Sequence, residues 1–193
     1  MIGRKPWLVF RCGRQTGEIH ARINAGRAPE SLPAVKDVMS RGLSHLAPSQ
    51  PMLAEWVGRI LARLPDGDAL CHGDCHPGQL MLSSHRYAAF DWSGVKRGDP
   101  LFDYARTRVL LSMAEPPPGT QLTLRLLAKI GRRLLISSYV RAYERHATAP
   151  VAKARVRQWE IVNLAVRMHD GVPAERPRLL QRLQQEFARG EPS

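Results

Sequence analysis

The sequence is poor in the features that mark secreted and membrane proteins. It has only three cysteines, an odd number that cannot pair completely and does not suit a disulfide framework. No uninterrupted apolar run approaches the ~20 residues that a membrane-spanning helix needs. The N-terminus also lacks the charged-then-apolar pattern of a secretory signal. We therefore expect a cytoplasmic protein with no membrane partner.

Acidic residues are also scarce, with 17 Asp and Glu against 29 Lys and Arg and a net charge of +12. The imbalance leans toward residues 101–193, which carry 16 basic and 8 acidic residues. Such a charge is compatible with nucleic-acid binding, but the arginines of this half are spread along helical segments without interleaved aromatic residues. This pattern favours a solvated helix face, and we do not expect nucleic acid as a partner.

The chemistry-bearing residues are concentrated between Leu70 and Arg106. His72-Gly73-Asp74 is followed five residues later by Gln79, then by Phe90-Asp91-Trp92 and by Gly98-Asp99-Pro100. Phosphoryl transfer uses one carboxylate to position the attacking hydroxyl and accept its proton, while a second carboxylate and an amide hold magnesium on the phosphates. Asp74 and Asp91 suit these two roles.

Two short apolar runs between these carboxylates predict a hairpin, Leu80–Leu82 and Tyr87–Phe90, with a polar turn at residues 83–86. A hairpin would bring Asp74 and Asp91 to one end of the structure. We therefore expect their carboxyl groups to lie within about 10 Å of each other, the span that oxygens can share around phosphates.

Residues 72–79, His-Gly-Asp-Cys-His-Pro-Gly-Gln, resemble the HGDxHPGN loop of the aminoglycoside phosphotransferase and choline-kinase-like family. Phe90-Asp91-Trp92 resembles the family's IDW element, and residues 98–106 resemble its GDPxxDxA continuation. The resemblance implies that Asp74 is the catalytic base and that Asp91 and Gln79 bind the metal and nucleotide. It implies Mg²⁺ and ATP as cofactors and a small-molecule hydroxyl as acceptor.

Three residues of these blocks are expected to support the site without taking part in the chemistry: His72, Asp99 and Asp103. Gln79 departs from the family's Asn. Its amide oxygen is the same type of ligand, but the extra methylene moves it by roughly 1.5 Å, one carbon–carbon bond length. Because Mg²⁺ demands near-ideal octahedral geometry, this change affects the second metal contact.

The fold class predicted from the sequence is mainly α with a small β component, the helical C-terminal lobe of a protein-kinase-like fold over residues 1–193. Residues 1–14 contain the apolar run Trp7–Phe10 and are expected to form a hinge-like strand, followed by a helix over Thr16–Ala25 with the family-like element Ile19-His20-Ala21. Further helices are predicted at 32–46, 52–64, 101–113, 122–146, 151–169 and 177–188, with a loop at 115–120. The predicted helices at 122–146, 151–169 and 177–188 make up the C-terminal helices of residues 120–193.

No glycine-rich phosphate loop and no Val-Ala-Ile-Lys-like strand occurs in the sequence. In the resembled family, both lie in an N-terminal β lobe before the hinge, and we expect this lobe to be absent from the chain. Two hypotheses follow. The first is an ATP-dependent phosphotransferase, and the second is a truncated, weakly active or inactive relative that acts as a binding module.

Some residues permit other interpretations. His72 is either a structural brace or a general base, and the sequence favours the brace. Cys71, Cys75 and His76 superficially suggest a zinc site, but no second Cys/His group follows at ligand spacing. Trp159 is expected in the core, with a substrate pocket as the alternative.

Overall fold

A computed structural model describes residues 7–82, 87–113 and 119–191. Helices dominate these residues. They are α1 Trp7–Asn24, α2 Val35–Ser44, α3 Pro51–Arg63, α4 Pro100–Met113, α5 Leu122–His146, α6 Lys153–Asp170 and α7 Arg176–Ala188. The six helices predicted after residue 30 are confirmed, with ends that differ by no more than three residues.

The described residues also contain four short strands, which form two antiparallel pairs. Strand β1, Ala69–Cys71, pairs with β4, Lys96–Gly98, and strand β2, Leu80–Leu82, pairs with β3, Tyr87–Ala89. The β2–β3 pair is the predicted hairpin; its turn at 83–86 lies outside the described residues. The β1–β4 pair was not predicted, because strands of three residues carry too little periodicity to recognise.

The hinge-like strand predicted over residues 1–14 is wrong where the structure describes it, since residues 7–14 are the first turns of α1. Residues 1–6 lie outside the described part, as do residues 114–118 of the predicted loop at 115–120. A run of four apolar residues does not by itself distinguish a strand from a helix. The 3.6-residue spacing of the buried positions Gly13, Gly17, His20 and Asn24 shows why this segment is helical.

Two glycines let α1 pack closely against α5. A Cβ atom on Gly13 would lie 2.5 Å from the Leu135 carbonyl oxygen, and one on Gly17 would lie 2.4 Å from the Tyr139 carbonyl oxygen. Only residues without a side chain allow the two backbones to approach this far. Gly13 falls within the strand predicted over residues 1–14, but it lies inside a helix at this contact.

The core is centred on α6, which packs against α2, α3, α4 and α7. Trp159 of this helix is fully buried and packs edge-on against Phe102 of α4, with ring centroids 5.5 Å apart. Its indole N–H donates to Asp99 Oδ2 at 2.7 Å. The expected core position of Trp159 is therefore confirmed, and its hydrogen bond ties the core to the segment that leads into α4.

Replacing Gly17 with alanine is expected to destabilise the protein by roughly 1–3 kcal/mol, because the new methyl group would push α1 and α5 apart. Gly131→Ala is the matched control, since a Cβ atom at that α5 position meets no atom within 4 Å. Removing a glycine from a helix interior should instead stabilise by roughly 0.5–1 kcal/mol. Urea unfolding followed by circular dichroism measures both changes. Equal effects of the two variants would contradict the close helix contact.

Candidate active site

The segment after β1 turns sharply at Gly73, which has a positive φ of 83°. A Cβ atom on Gly73 would lie 2.2 Å from the Gly94 carbonyl oxygen. This close approach brings the loop of residues 72–79 against the loop of residues 90–95. Both conditions require glycine at position 73, so the glycine of the His-Gly-Asp motif serves the geometry of the site.

The carboxylate of Asp103, in the first turn of α4, holds this turn in place. Its Oδ2 accepts a hydrogen bond from the His72 backbone N–H at 2.6 Å, and its Oδ1 accepts one from the Gly73 N–H at 2.9 Å. The side chain of Asp103 is fully buried. From the other side of the loop, Arg106 donates to the Gly73 carbonyl oxygen. The backbone before Asp74 is thus fixed by groups from α4.

Asp103 is also the centre of a buried polar network that reaches α1 and α5. Asn24 Nδ2 donates to its Oδ2 at 3.0 Å, and His20 Nε2 lies 2.9 Å from the same oxygen. Two tyrosines of α5 complete the network, with Tyr139 Oη 2.8 Å from His20 Nδ1 and Tyr143 Oη donating to Asn24 Oδ1 at 2.8 Å. Burial raises the pKa of Asp103, but the His20 charge and the hydrogen bonds outweigh it and hold the pKa well below its usual range.

Asp74, Gln79 and Asp91 face one another across the two loops. Gln79 Nε2 lies 3.4 Å from Asp74 Oδ2 and 3.1 Å from Asp91 Oδ2. Since one nitrogen is within these distances of both oxygens, the two carboxyl groups are well inside the expected separation of about 10 Å. Asp74 is part-buried at this point, and Asp91 is exposed.

Asp91 has a left-handed backbone conformation with φ 60°, found at no other non-glycine residue that the structure describes. Such conformations cost of order 1–3 kcal/mol and persist where the surroundings require them. The Ser93 hydroxyl donates to Asp91 Oδ1 at 2.6 Å, and this bond is the main cause that lowers the pKa of Asp91. The carboxylate is therefore oriented and ionised at neutral pH.

His76 contacts Asp74 from the solvent side. Its Nδ1 accepts a hydrogen bond from the Gly78 N–H at 3.0 Å, which leaves the proton on Nε2, 3.5 Å from Asp74 Oδ2. Partial burial raises the pKa of Asp74, but His76, Gln79 and Arg106 outweigh it and lower the pKa below its ordinary value. In the sequence, His76 stands out only because, with Cys71 and Cys75, it superficially suggests a zinc site. In the structure the Cys71 thiol is directed at the backbone oxygens of Ala69 and Asp99.

His72 joins the two loops through both ring nitrogens. Its Nδ1 accepts from the Asp74 backbone N–H at 3.3 Å, and Nε2 is 3.1 Å from the Phe90 carbonyl oxygen, to which it donates. Burial lowers the pKa of His72, in keeping with a neutral ring. With both nitrogens engaged by backbone, this geometry fits the brace better than the general base.

Asp99 lies at the start of α4, behind the site. Its Oδ1 accepts from the Leu101 N–H at 3.0 Å, as a residue capping a helix N-terminus does, and Pro100 occupies the first helical position. Its Oδ2 accepts from Trp159. Asp99 therefore fixes the start of the helix that carries Asp103.

The oxygen atoms at the site suit a hard divalent cation. Mg²⁺ takes oxygen ligands, commonly one or two protein carboxylates together with waters and phosphate oxygens. In the structure the Gln79 amide directs its N–H₂ group, the positive end of its dipole, between Asp74 and Asp91. The position between the two carboxylates thus attracts positive charge. Rotation of the amide by half a turn would present its oxygen there instead.

The sequence did not identify His20, Asn24, Tyr139 and Tyr143 as parts of the site. In the sequence, His20 is only part of the family-like element Ile19-His20-Ala21, and the two tyrosines lie within the helix predicted at 122–146. Their i, i+4 spacing places both rings on one face of α5, which was the available signal. The contact between His20 and Tyr139 joins residues 119 positions apart, which no local pattern reveals.

A sequence model described as the phosphotransferase enzyme family (APH) matches residues 4–147. Similar solved structures include a glucosamine kinase in complex with glucosamine, ADP and inorganic phosphate, with a TM-score of 0.59 and 16% identity, covering 96% of this chain and 52% of that chain. Another is an amicoumacin kinase in complex with AMP-PNP and Ca²⁺, with a TM-score of 0.60 and 15% identity, covering 97% and 60%. No curated protein matches. The chain spans 52–60% of the length of these two structures. The likeness shows the fold, the helical C-terminal lobe of a protein-kinase-like protein.

The buried network predicts a characteristic pH dependence of stability. Burial lowers the pKa of His20, but neighbouring Cys75 and Asp103 raise it to about 10. The His20 ring therefore keeps a proton in the native protein at pH values where it loses that proton in the unfolded chain, because the pKa of an unfolded histidine is about 6.5. The stability that this proton contributes is fully present below pH ~6.5 and is lost as the pH rises through about 10.

We expect the free energy of unfolding to fall with pH over this window more steeply in the wild type than in His20→Gln, by up to roughly 1.4 kcal/mol per pH unit. Urea unfolding at a series of pH values measures the difference. Parallel profiles for the two proteins would show that His20 carries no extra proton in the native state.

Proposed function

Because the chain belongs to the phosphotransferase enzyme family, we propose that its site transfers the terminal phosphoryl group of ATP to a hydroxyl of a small molecule. The observation that carries this proposal is the convergence of Asp74, Gln79 and Asp91. A base carboxylate and a metal-binding carboxylate and amide that meet at one point are among the parts that phosphoryl transfer requires of the protein.

Asp74 is the base in this proposal. Its lowered pKa keeps it ionised at neutral pH, so its carboxylate can accept a hydrogen bond from the acceptor hydroxyl. As the oxygen–phosphorus bond forms, the hydroxyl proton passes to Asp74, and the nucleoside diphosphate leaves with the electrons of the broken bond. The backbone bonds to His72 and Gly73 fix the approach of Asp74 during this step.

Asp91 and Gln79 would hold the divalent cation. Bound Mg²⁺ would neutralise charge on the phosphate oxygens. Asp91 Oδ2 faces the point between the carboxylates, while Oδ1 is engaged by Ser93. Gln79 would contribute its amide oxygen after rotation, which breaks its present hydrogen bonds to Asp74 and Asp91. The same Gln79 side chain would thus donate hydrogen bonds to the two carboxylates when no cation is bound and would coordinate the cation when it is bound.

A second candidate is a weakly active or inactive relative that acts as a binding module. One observation favours it: no glycine-rich phosphate loop and no Val-Ala-Ile-Lys-like strand occurs within the 193 residues. The ionised, oriented Asp91 and the braced Asp74 loop favour the enzyme, because a module that only binds does not need a positioned base.

Asp74→Asn is expected to lower the rate of phosphoryl transfer by ~10²–10⁴, since a positioned general base is lost. Asp91→Asn should be at least as damaging because it removes the main metal ligand. Both are measured as release of ADP and formation of phosphorylated acceptor, on the chain alone and on the chain joined to a nucleotide-binding lobe. Asp66→Asn is the control, as this exposed carboxylate lies outside the cleft near Lys36. Wild-type turnover in either site variant would refute the role given to that residue.

The charge of the acceptor is part of the proposal. A polycationic acceptor needs carboxylates to replace the hydration of each ammonium group. Seven carboxylates between residues 101 and 191 are described, and each already has a hydrogen-bond or ion-pair partner: Asp103, Glu144, Glu160, Asp170, Glu175, Glu186 and Glu191. The partners are mostly arginines. We infer that the acceptor is a neutral or anionic hydroxyl compound.

A phosphorylation screen that compares kanamycin-like amines with sugars, nucleosides and hydroxy acids tests this inference. The expected result is a higher kcat/KM for the neutral or anionic compounds, because few free carboxylates are available to an ammonium group. Efficient turnover of the amines alone would overturn it, while leaving the assignment of Asp74 and Asp91 intact.

A further inference from the structure

The first three turns of α5 carry large apolar side chains on the protein surface. Leu122, Leu126 and Ile130 follow one another at four-residue spacing, and Leu127 lies beside them. Their exposed fractions run from 46% for Ile130 to 82% for Leu122. Single exposed apolar residues are common, but a contiguous stripe marks an interaction surface.

The same part of the chain is purely basic. No Asp or Glu occurs between Glu115 and Glu144, whereas the helix carries Arg125, Lys129 and Arg133 on exposed positions next to the apolar stripe. Elsewhere the protein pairs many of its arginines with carboxylates, as in Arg108 with Glu160. The charge along α5 therefore favours an anionic partner.

The basic character continues along the same face toward the C-terminal end of α5. Arg141 lies 11 residues after Ile130 and Arg145 lies 18 residues after Leu127, close to three and five whole helical turns, so they lie on the same side of the helix. Together with α1 they line an open groove of about 490 Å³, to which α1 contributes the half-exposed Phe10 and the exposed Arg11 and Arg14.

Of the described residues that line this groove, Glu18 alone carries a carboxylate, and Arg14 lies 3.8 Å from it. Among the described residues, neither Arg141 nor Arg145 forms an ion pair with a carboxylate, and like charges four residues apart on a helix repel each other. An anionic partner would relieve this repulsion. The face formed by these α1 and α5 residues is called the basic–apolar face below.

We propose that the basic–apolar face binds the surface of an anionic lipid bilayer. A helix with a leucine stripe flanked by arginine and lysine lies in the interface, with its apolar side chains between the head groups and its cations at the lipid phosphates. This contact is distinct from a span, since no described helix combines the length and the apolar content needed to cross a bilayer. The proposal departs from the expectation of no membrane partner, which rested on the lack of a spanning run.

The charges argue against a second copy of the chain on this face. Two α5 helices in contact would place Arg125, Lys129 and Arg133 near the same three cations of the partner, with no carboxylate of α5 between Leu122 and Tyr143 to offset them. A protein partner of opposite charge would need a concave acidic surface for a protruding helix. A lipid surface supplies negative charge and an apolar layer without that requirement.

Sedimentation with lipid vesicles tests the proposal on the complete chain. We expect it to bind vesicles of phosphatidylcholine mixed with phosphatidylglycerol at least about tenfold more tightly than vesicles of phosphatidylcholine alone, and to be released at high salt. The double variants Leu126→Ser/Ile130→Ser and Arg141→Gln/Arg145→Gln should each weaken binding by about tenfold or more. Far-UV circular dichroism checks that both variants keep the helical fold.

Matched controls come from exposed residues elsewhere. Met52→Ser/Val172→Ser removes exposed apolar side chains outside the face, and Lys153→Gln/Arg176→Gln removes the same number of charges. These controls should bind as the wild type does. Equal binding to both kinds of vesicle, equal losses in face and control variants, or a dimer that Leu126→Ser/Ile130→Ser dissociates would overturn the proposal. None of these outcomes bears on Asp74 and Asp91.

Discussion

The buried carboxylate of Asp103 is the constraint on which the site depends. An isolated charge in a protein interior costs several kcal/mol, so it persists only where enough donors surround it. Asp103 accepts hydrogen bonds from three donors, the backbone N–H groups of His72 and Gly73 and the Asn24 side chain, and the His20 ring lies 2.9 Å from its Oδ2. The charge thereby connects the loop before Asp74 to α1 and α4 and, through two tyrosines, to α5. Losing one donor would leave a charge without full compensation, so the loop and the three helices are stabilised together.

Two close backbone contacts at glycines also determine the geometry of the site. Gly73 allows the loop of residues 72–79 to touch Gly94, and Gly17 allows α1 to reach the backbone of α5, where Tyr139 meets His20. The first contact sets the distance from Asp74 to Asp91, and the second places the network that holds Asp103. His72 then joins the two loops through its ring. The geometry proposed for phosphoryl transfer thus rests on groups that take no part in the chemistry.

Local sequence carried much of this information. The hairpin predicted between Asp74 and Asp91 placed the two carboxylates at one end of the structure. Apolar periodicity located six of the seven helices in the described residues within three residues of their observed ends. The strand predicted for residues 7–14 is wrong because an apolar run of four residues does not distinguish a strand from a helix. The partners of Asp103 were missed for another reason. Contacts such as that between Asn24 and Tyr143 depend on how α1 packs on α5. These two residues are 119 positions apart in the sequence, so no local pattern predicts their contact.

Equilibrium binding of a fluorescent ATP analogue tests most directly whether Asp74 and Asp91 form a metal–nucleotide site. The wild-type chain should bind the analogue in the presence of Mg²⁺ and lose at least about tenfold in affinity when the metal is removed, because the phosphates then lack their counter-charge. Asp91→Asn should bind equally weakly with and without Mg²⁺, while Asp66→Asn should behave as the wild type does. Binding that is independent of Mg²⁺, or that Asp91→Asn leaves unchanged, would contradict the account.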